Sequence, residues 1–440
     1  MEQFNRLKSA DFNQSVFRAV GHVVNSSASA IDVKGLTAPL GARCVVESGD
    51  AGYVYADVVG FSGTITKLQA VTQADGVTPN AKVRLYSKIP KIAISDSMKG
   101  VVIDPTGKVL IGEHDRNNNS PESHVPILSP ALSVSDRGII DKQLLTGVKA
   151  IDSMLPLGVG QRIGLFAGTG VGKSVLMSMI TKNADADIVV IGLVGERGRE
   201  VSEFYHETLT EEARLKSIIV AAPADTSAIL RMQCAETATA IAEHYRDKGQ
   251  NVLLLLDSVT RYAQAQREVA LSNGEPPATK GYPPSVFSKL PKLIERTGKT
   301  NYGGSITAIY TVLTEGDDMN DPIADAARGV LDGHIVLSRS LAGRGIYPAI
   351  EVTSSISRLS HVLQTQGVRD VVSRIKASFQ TLEDNKELIS MGVVESGKNI
   401  VLDKAIKNES ALWGMVKQNV NDNCGLQDSL KELSELAHKI

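Results

Sequence analysis

Cysteine is almost missing from this chain. Cys44, Cys234 and Cys424 are its three thiols, and they form no CxxC pair or Cys/His cluster of metal-site spacing. That excludes a disulfide framework or a thiolate metal site, and the expectation is buried reduced thiols. The eight histidines are also scattered, without His-x3-His spacing. No run approaches the roughly 18 apolar residues that span a bilayer, and the polar opening MEQFNRLKSADFNQ lacks a signal peptide's apolar stretch. These absences predict a protein of the reducing cytoplasm that reaches a membrane only through partners. Neither charge is in excess, with 47 Lys and Arg against 49 Asp and Glu. Without a global basic field to hold a polyanion, a nucleic-acid partner is disfavoured. There is no internal repeat or low-complexity tract.

What is present is enough for several cores. A chain of 440 residues predicts two or three domains, and 42% apolar with 22% charged residues is ordinary globular composition. Residues 18–86 carry short strand-forming runs broken by Gly, Pro, Ser and Asp, including an alternating stretch at 82–85, which predicts a small barrel. The following connector, with DRNNNSPESHVP, favours turns over regular structure. Continuous apolar runs then recur at 163–167, 188–194, 218–222, 252–256 and 306–313, alternating with helical segments. Strands covered by helices on both faces read this way, so an α/β core with a parallel sheet is expected. From about residue 368 helix formers dominate, ending in SLKELSELAHKI. The expected divisions are 1–90, 91–366 and 367–440.

The sharpest local signal is Ala167-Gly168-Thr169-Gly170-Val171-Gly172-Lys173-Ser174, placed between a predicted strand and a helix at 175–182. Glycines let successive backbone N–H groups turn towards phosphates, and the helix that follows adds its positive end. Lys173 brings a point charge to the β- and γ-phosphates, and the Ser174 hydroxyl can ligate Mg²⁺. Ala167 stands where the strict pattern has glycine. Such a loop needs a carboxylate at a neighbouring strand end for the magnesium shell, and Asp257 closes the run at 252–256; the alternative is a helix N-cap. Hydrolysis further needs a group to orient or deprotonate water. Glu196, in Gly195-Glu196-Arg197-Gly198-Arg199-Glu200, sits just past the strand at 188–194, on the edge where open α/β sheets bind ligands. Glu200 is its rival, expected in the next helix on salt-bridge duty.

The segments GVGQRIGLFAGTGVGKSVLM, IGLVGERGREVSEF, LLLLDSVTRYAQAQREVAL, GEPPATKGYPPSVFSKLPKLIERTG and DDMNDPIADAARGVLDGHIVLSR, in that order, resemble the catalytic ATPases of type III protein export, relatives of the rotary ATP synthase β subunit. The resemblance spans about residues 20–440. AQREVALSNGEPPATKGYPPSVF and TVLTEGDDMNDPIAD look most like the flagellum-specific ATPase, with the injectisome enzyme as the close alternative. One departure is Glu351, which ends a PAID-like stretch as Pro348-Ala349-Ile350-Glu351 and is expected to keep the same local role.

The resemblance implies a RecA-like P-loop core with an N-terminal small β-barrel and a C-terminal helical domain. It implies that Gly168, Thr169, Gly170, Val171, Gly172, Lys173, Ser174 and Val175 bind Mg-ATP, with Asp257 as the second magnesium carboxylate and Glu196 as the catalytic glutamate. Arg197 matches a residue near the γ-phosphate, Tyr347 the aromatic that stacks on adenine, and Arg358 an arginine finger donated by a neighbouring subunit. Residues alone leave Arg358 open between that role and a solvated surface arginine, and Tyr347 between stacking and a turn or core tyrosine.

A finger in trans implies a homohexamer. The resemblance further implies a stator-like regulator at the N-terminus, a coiled-coil stalk in the central channel, export gate membrane proteins, chaperone–substrate complexes, and a place at the inner membrane through the export apparatus. The proline-rich loop 274–285 is either a channel-facing loop or an ordinary surface loop. Phe4, Leu7, Phe12, Val16 and Phe17 could form a partner-binding helix face, but their uneven spacing equally suits disorder or packing on the barrel. Two other classes share this core. A non-catalytic nucleotide-holding ring subunit would carry glutamine where Glu196 stands. A nucleic-acid translocase would need a basic, aromatic barrel groove, whereas Lys34, Arg43, Lys67, Lys82 and Arg84 are offset by Asp32, Glu47, Asp50, Asp57 and Asp75.

Overall fold

A computed structural model describes residues 20–27, 29–49, 52–72, 74–112, 121–314, 321–395 and 397–440. The candidate helix face at Phe4, Leu7, Phe12, Val16 and Phe17 lies outside them, as does the DDMN of the fifth matched segment.

The chain divides into two compact units, one taking Val269–Glu275 with the residues up to Pro90, the other taking the rest. In the first, six strands form a closed barrel in the order Val20–Ser27, Ala30–Lys34, Ile65–Ala70, Gly52–Ser62, Arg43–Ser48 and Lys82–Ser87, the last pairing back on the first. Alternation decides which side chains go inward. Arg43–Ser48 buries every second residue, and Ile31, Val33, Cys44, Val46, Ala56, Leu68 and Val83 fill the interior. Arg43 grips Asp57 across a strand pair with two hydrogen bonds of 2.9 and 3.1 Å, and Arg84 pairs with Glu47 at 2.8 Å. Two of the barrel's cations are thereby neutralised within the barrel.

The second unit is built on a ten-stranded sheet. Its order runs Ile356–Ser357, Gly333–Val336, Arg162–Ala167, Ser305–Leu313, Asn251–Asp257, Ile188–Val194, Ser217–Ala222, Val102–Ile103 and Val109–Ile111, with Gly298–Lys299 paired onto Ser305–Leu313 off this path. The five central strands are parallel and almost wholly buried, which is why they read as unbroken apolar runs. The helix Ala228–Asp247 lies on this sheet, capped by Ser227, whose hydroxyl accepts from Leu230 N at 3.3 Å. One expectation is corrected in the connector: Ser123–Pro126 is a strand, paired antiparallel with Lys91–Ile94. Turn-forming residues next to Val125 did not prevent pairing, because Pro126 stands at the strand's last position, where a missing N–H is tolerated.

Beyond the sheet the chain is helical. Gln366–Asp384 buries Val372, Ile375, Phe379 and Leu382, a three-four-three spacing that lays one stripe against its neighbours. Leu426–Ala437 buries Leu433 and Leu436 against the same layer. Of the thiols, Cys44 and Cys234 are buried and Cys424 is half-buried.

Candidate active site

The strand Arg162–Ala167 ends at the carboxyl edge of the sheet, and five residues turn it into the helix Lys173–Asn183. Gly170 and Gly172 take φ of 77° and 89°, left-handed values that glycine adopts without strain. Val171 is buried between them and anchors the turn to the core. The N-cap, Gly172, offers no side-chain acceptor to the first-turn N–H groups. Those donors, with the positive end of the helix dipole, form an anion site.

Lys173 reaches across the sheet edge. Its Nζ is 2.5 Å from Asp257 Oδ1 and 3.4 Å from Glu196 Oε1. Strand register creates this meeting: Leu193 pairs with Asp257, so the carboxylate ending one strand lies beside Glu196 just past the next. Thr311, on the strand at Asp257's other side, donates its hydroxyl to Asp257 Oδ1 at 2.6 Å. Ser174, Glu196, Glu200 and Asp257 line one cavity of about 130 Å³.

Burial, with the negative charge of Asp257 added, pushes Glu196 up to about 7 against the opposing pull of Lys173. Burial also opposes the Lys173 ammonium, but the Asp257 and Glu196 carboxylates outweigh it and hold the lysine above its ordinary value. The cavity therefore sets a fixed cation beside a carboxyl that changes protonation near neutrality. A carboxylate so tuned can take a proton from water.

Other residues singled out by the sequence are placed differently. Arg197 is not part of the cluster: it is the N-cap of the helix Gly198–Glu203, its side chain is 83% exposed, and it pairs with Glu200 at 3.6 Å. Glu200 is in that helix as expected but also lines the Glu196 cavity. Tyr347 stands against the glycine turn, close enough that a Cβ on Gly172 would be 3.4 Å from its ring. It lines a second cavity, of about 450 Å³, with Gly172, Val175, Met179, Gln418 and Val420. Arg358 follows the edge strand Ile356–Ser357, is exposed, and donates from Nη2 to Arg328 O at 3.4 Å, away from Lys173 and its partners.

Two contributors escaped the sequence reading. Thr311 is hidden in an apolar strand run, and only sheet register shows that it faces Asp257. Gln418 carries no motif. Its side chain accepts from Lys149 N at 2.8 Å and donates to Gly147 O at 2.7 Å, while its backbone N–H donates to Tyr347 O at 2.9 Å.

The residues fit a nucleotide and a hard divalent cation. The uncapped helix start, the open space beside Gly170 and the lysine suit phosphates. One hydroxyl and one or two carboxylates are what magnesium takes when phosphate oxygens and water complete its shell. Among the described residues no three His, Cys, Asp or Glu side chains gather as a self-sufficient metal cage.

Residues 147–357 match the nucleotide-binding domain of the ATP synthase alpha/beta family, and residues 365–435 the C-terminal domain of the type III secretion ATPase EscN. A flagellum-specific ATP synthase of Pseudomonas aeruginosa is 46% identical over 422 residues, covering 94% of this chain and 92% of that one. The chain belongs to the ATPases of flagellar and type III secretion export. Among solved structures of this family, the assembled EscN of enteropathogenic E. coli superposes with a TM-score of 0.89 at 38% identity, covering 95% of this chain and all of that one. EscN in complex with its central stalk EscO gives 0.85 at 37% identity and the same coverage. Membership accounts for the whole architecture: RecA-like P-loop core, N-terminal barrel and C-terminal helices. An ATPase of this family binds ATP. Among the described residues no helix is long and apolar enough to cross a membrane.

Proposed function

We propose that this chain hydrolyses Mg-ATP for flagellar type III protein export, in a homohexamer whose catalytic sites are completed by neighbouring subunits. The observation that carries the reading is the meeting of Lys173 with both Glu196 and Asp257 under an uncapped helix start.

In this reading Gly168 to Val175 cradle the phosphates with backbone N–H groups, Lys173 neutralises the β- and γ-phosphates, and the Tyr347 ring stacks on adenine in the larger cavity. Ser174 and Asp257 would hold magnesium, which would supply charge neutralisation on the phosphate oxygens. Glu196 orients the attacking water and accepts its proton as the new P–O bond forms on the terminal phosphorus. The bond to the β-phosphate breaks, and its electron pair leaves with ADP. Arg358 of an adjoining copy neutralises the transferring phosphoryl group, a contribution on the order of 10³ to 10⁵ in rate. Arg197 is left a supporting place at the cavity's rim, since its exposed side chain would have to turn inward to meet a phosphate.

A ring with a central stalk is supported by the likeness to the assembled EscN and to EscN in complex with its central stalk EscO; in this reading the stalk is a coiled coil and loop 274–285 faces it. Chaperone–substrate complexes, export gate proteins at the inner membrane and an N-terminal stator-like regulator complete the proposed setting in the cytoplasm. Flagellar use is favoured by the 46% identity to the Pseudomonas aeruginosa relative over 41% to a type 3 secretion system ATPase of Pseudomonas syringae pv. syringae. A deletion strain that still builds filaments and swims would overturn it in favour of injectisome secretion. A non-catalytic ring subunit is disfavoured by Glu196 itself.

The decisive test is Glu196→Gln. It keeps shape and hydrogen bonding but removes the base, so nucleotide binding should persist while phosphate release falls by about 10² to 10⁴. Wild-type turnover by this variant would sink the assignment.

A further inference from the structure

Among the described residues Arg358's side chain is tethered at only one backbone carbonyl, so its aim depends on the strand that precedes it. That strand is pinned densely. Ser354 O accepts from His334 Nε2 at 3.0 Å. The Ser355 hydroxyl donates to Glu351 O at 2.6 Å and accepts from Val336 N at 3.0 Å. The Ser357 hydroxyl donates to Pro156 O at 2.6 Å, and Arg358 N donates to Asp332 O at 3.0 Å. All of these partners belong to the ATPase core.

One pin has another origin. Lys376, in the middle of the helix Gln366–Asp384, donates from Nζ to Ser355 O at 2.8 Å. Among the described residues that carbonyl is the only partner of an ammonium with three donors, and it makes no ion pair. Burial pushes the lysine down to about 8, so the site tolerates the charge instead of welcoming it. Its helix neighbours Val372, Ile375 and Phe379 pack the core, and an apolar side chain at 376 would serve that packing as well. Arg328, Arg358 and Lys376 are also close enough to His334 to add, after burial, to the lowering of its pKa, which places these three cations around one histidine.

We infer that Lys376 is a positioning residue for Arg358: by fixing the Ser355 carbonyl it sets the strand that carries the guanidinium, and it ties the finger's reach to the C-terminal helices. The inference rests on the reading of Arg358 as the group that completes a neighbouring site. Lys376 touches no nucleotide in this scheme and acts wholly through the strand.

A double-mutant cycle on assembled rings tests it, using wild type, Lys376→Met, Arg358→Ala and the double variant, with kcat, KM and nucleotide affinity measured for each. Displacing the finger should lower kcat of Lys376→Met about 10- to 100-fold, with KM and nucleotide affinity unchanged. Arg358→Ala should fall about 10³-fold. Adding Lys376→Met to it should bring no further loss, because both changes remove one effect. Lys376→Arg, which keeps a cation able to reach the carbonyl, should recover most of the turnover. Full-speed Lys376→Met, an additive double variant, or Lys376→Arg as slow as Lys376→Met would each overturn the positioning role while leaving the finger standing. Wild-type turnover by Arg358→Ala would instead remove the finger reading itself. If Lys376→Met does not melt cooperatively, the same cycle with Lys376→Gln decides, on the same outcomes.

Discussion

Burial pushes the ionisation of Glu196 up to about 7. A base must be unprotonated to act, so kcat/KM should rise with pH up to about 7 and level off above it, which initial rates across a pH series will reveal. Stability should move the opposite way. The folded-state value is raised, so the folded chain holds this proton more tightly than the unfolded one. The associated stability is present below the ordinary carboxylate range and is lost as pH climbs to about 7. Urea midpoints should fall over that interval in wild type and flatten in Glu196→Gln; parallel slopes would assign the titration elsewhere. At this scale much was legible. Lys173, Glu196 and Asp257 each stand at a strand or helix end, where a polar residue next to a buried run needs explaining. Thr311 was not, because a threonine inside SITAIYTVL suits a buried strand equally well and only its register discloses its partner.

At the scale of elements, the turn into the helix Lys173–Asn183 depends on two glycines that differ in their surroundings. Both hold left-handed φ, but a Cβ on Gly172 would touch Tyr347 at 3.4 Å while one on Gly170 would meet open space. Gly170→Ala should therefore cost the unliganded fold only backbone strain, about 1–2 kcal/mol. Gly172→Ala should carry that strain in contact with the Tyr347 ring, so a shift that relieves it reaches the ring, and its affinity for adenosine, measured by titration calorimetry, should fall further than that of Gly170→Ala. Equal losses would deny Tyr347 a part in binding. The parallel strands were readable because burial on both faces leaves unbroken apolar text. Ser123–Pro126 was not, because a short edge pairing needs little side-chain signature and its Ser, His and Pro suggest a turn. The C-terminal wall of the Tyr347 cavity was equally hidden: Gln418, Asn419 and Val420 belong to a loop with no periodicity, more than 240 residues after the glycine turn it faces.

For the whole molecule, the separation of Arg358 from Lys173 is the feature with the largest consequence. A ring of identical subunits can use both in one site only if each interface draws the lysine from one copy and the arginine from the next. Lys173→Ala and Arg358→Ala proteins, each nearly inactive alone, should then complement when mixed. Random co-assembly leaves roughly a quarter of interfaces with both groups intact, and turnover should recover towards that fraction. Phosphate release that stays at the level of the separate variants would mean the finger acts within its own subunit or not at all. The sequence could suggest this division of labour only through its resemblance to known ATPases, because spacing does not tell a finger from a surface arginine.

Gln418 stitches the last third of the chain to the loop ahead of the core, and through its own amide to the backbone of Tyr347. Whatever fills the cleft beside that ring is therefore held against a wall that the chain's last segment helps to fix in place.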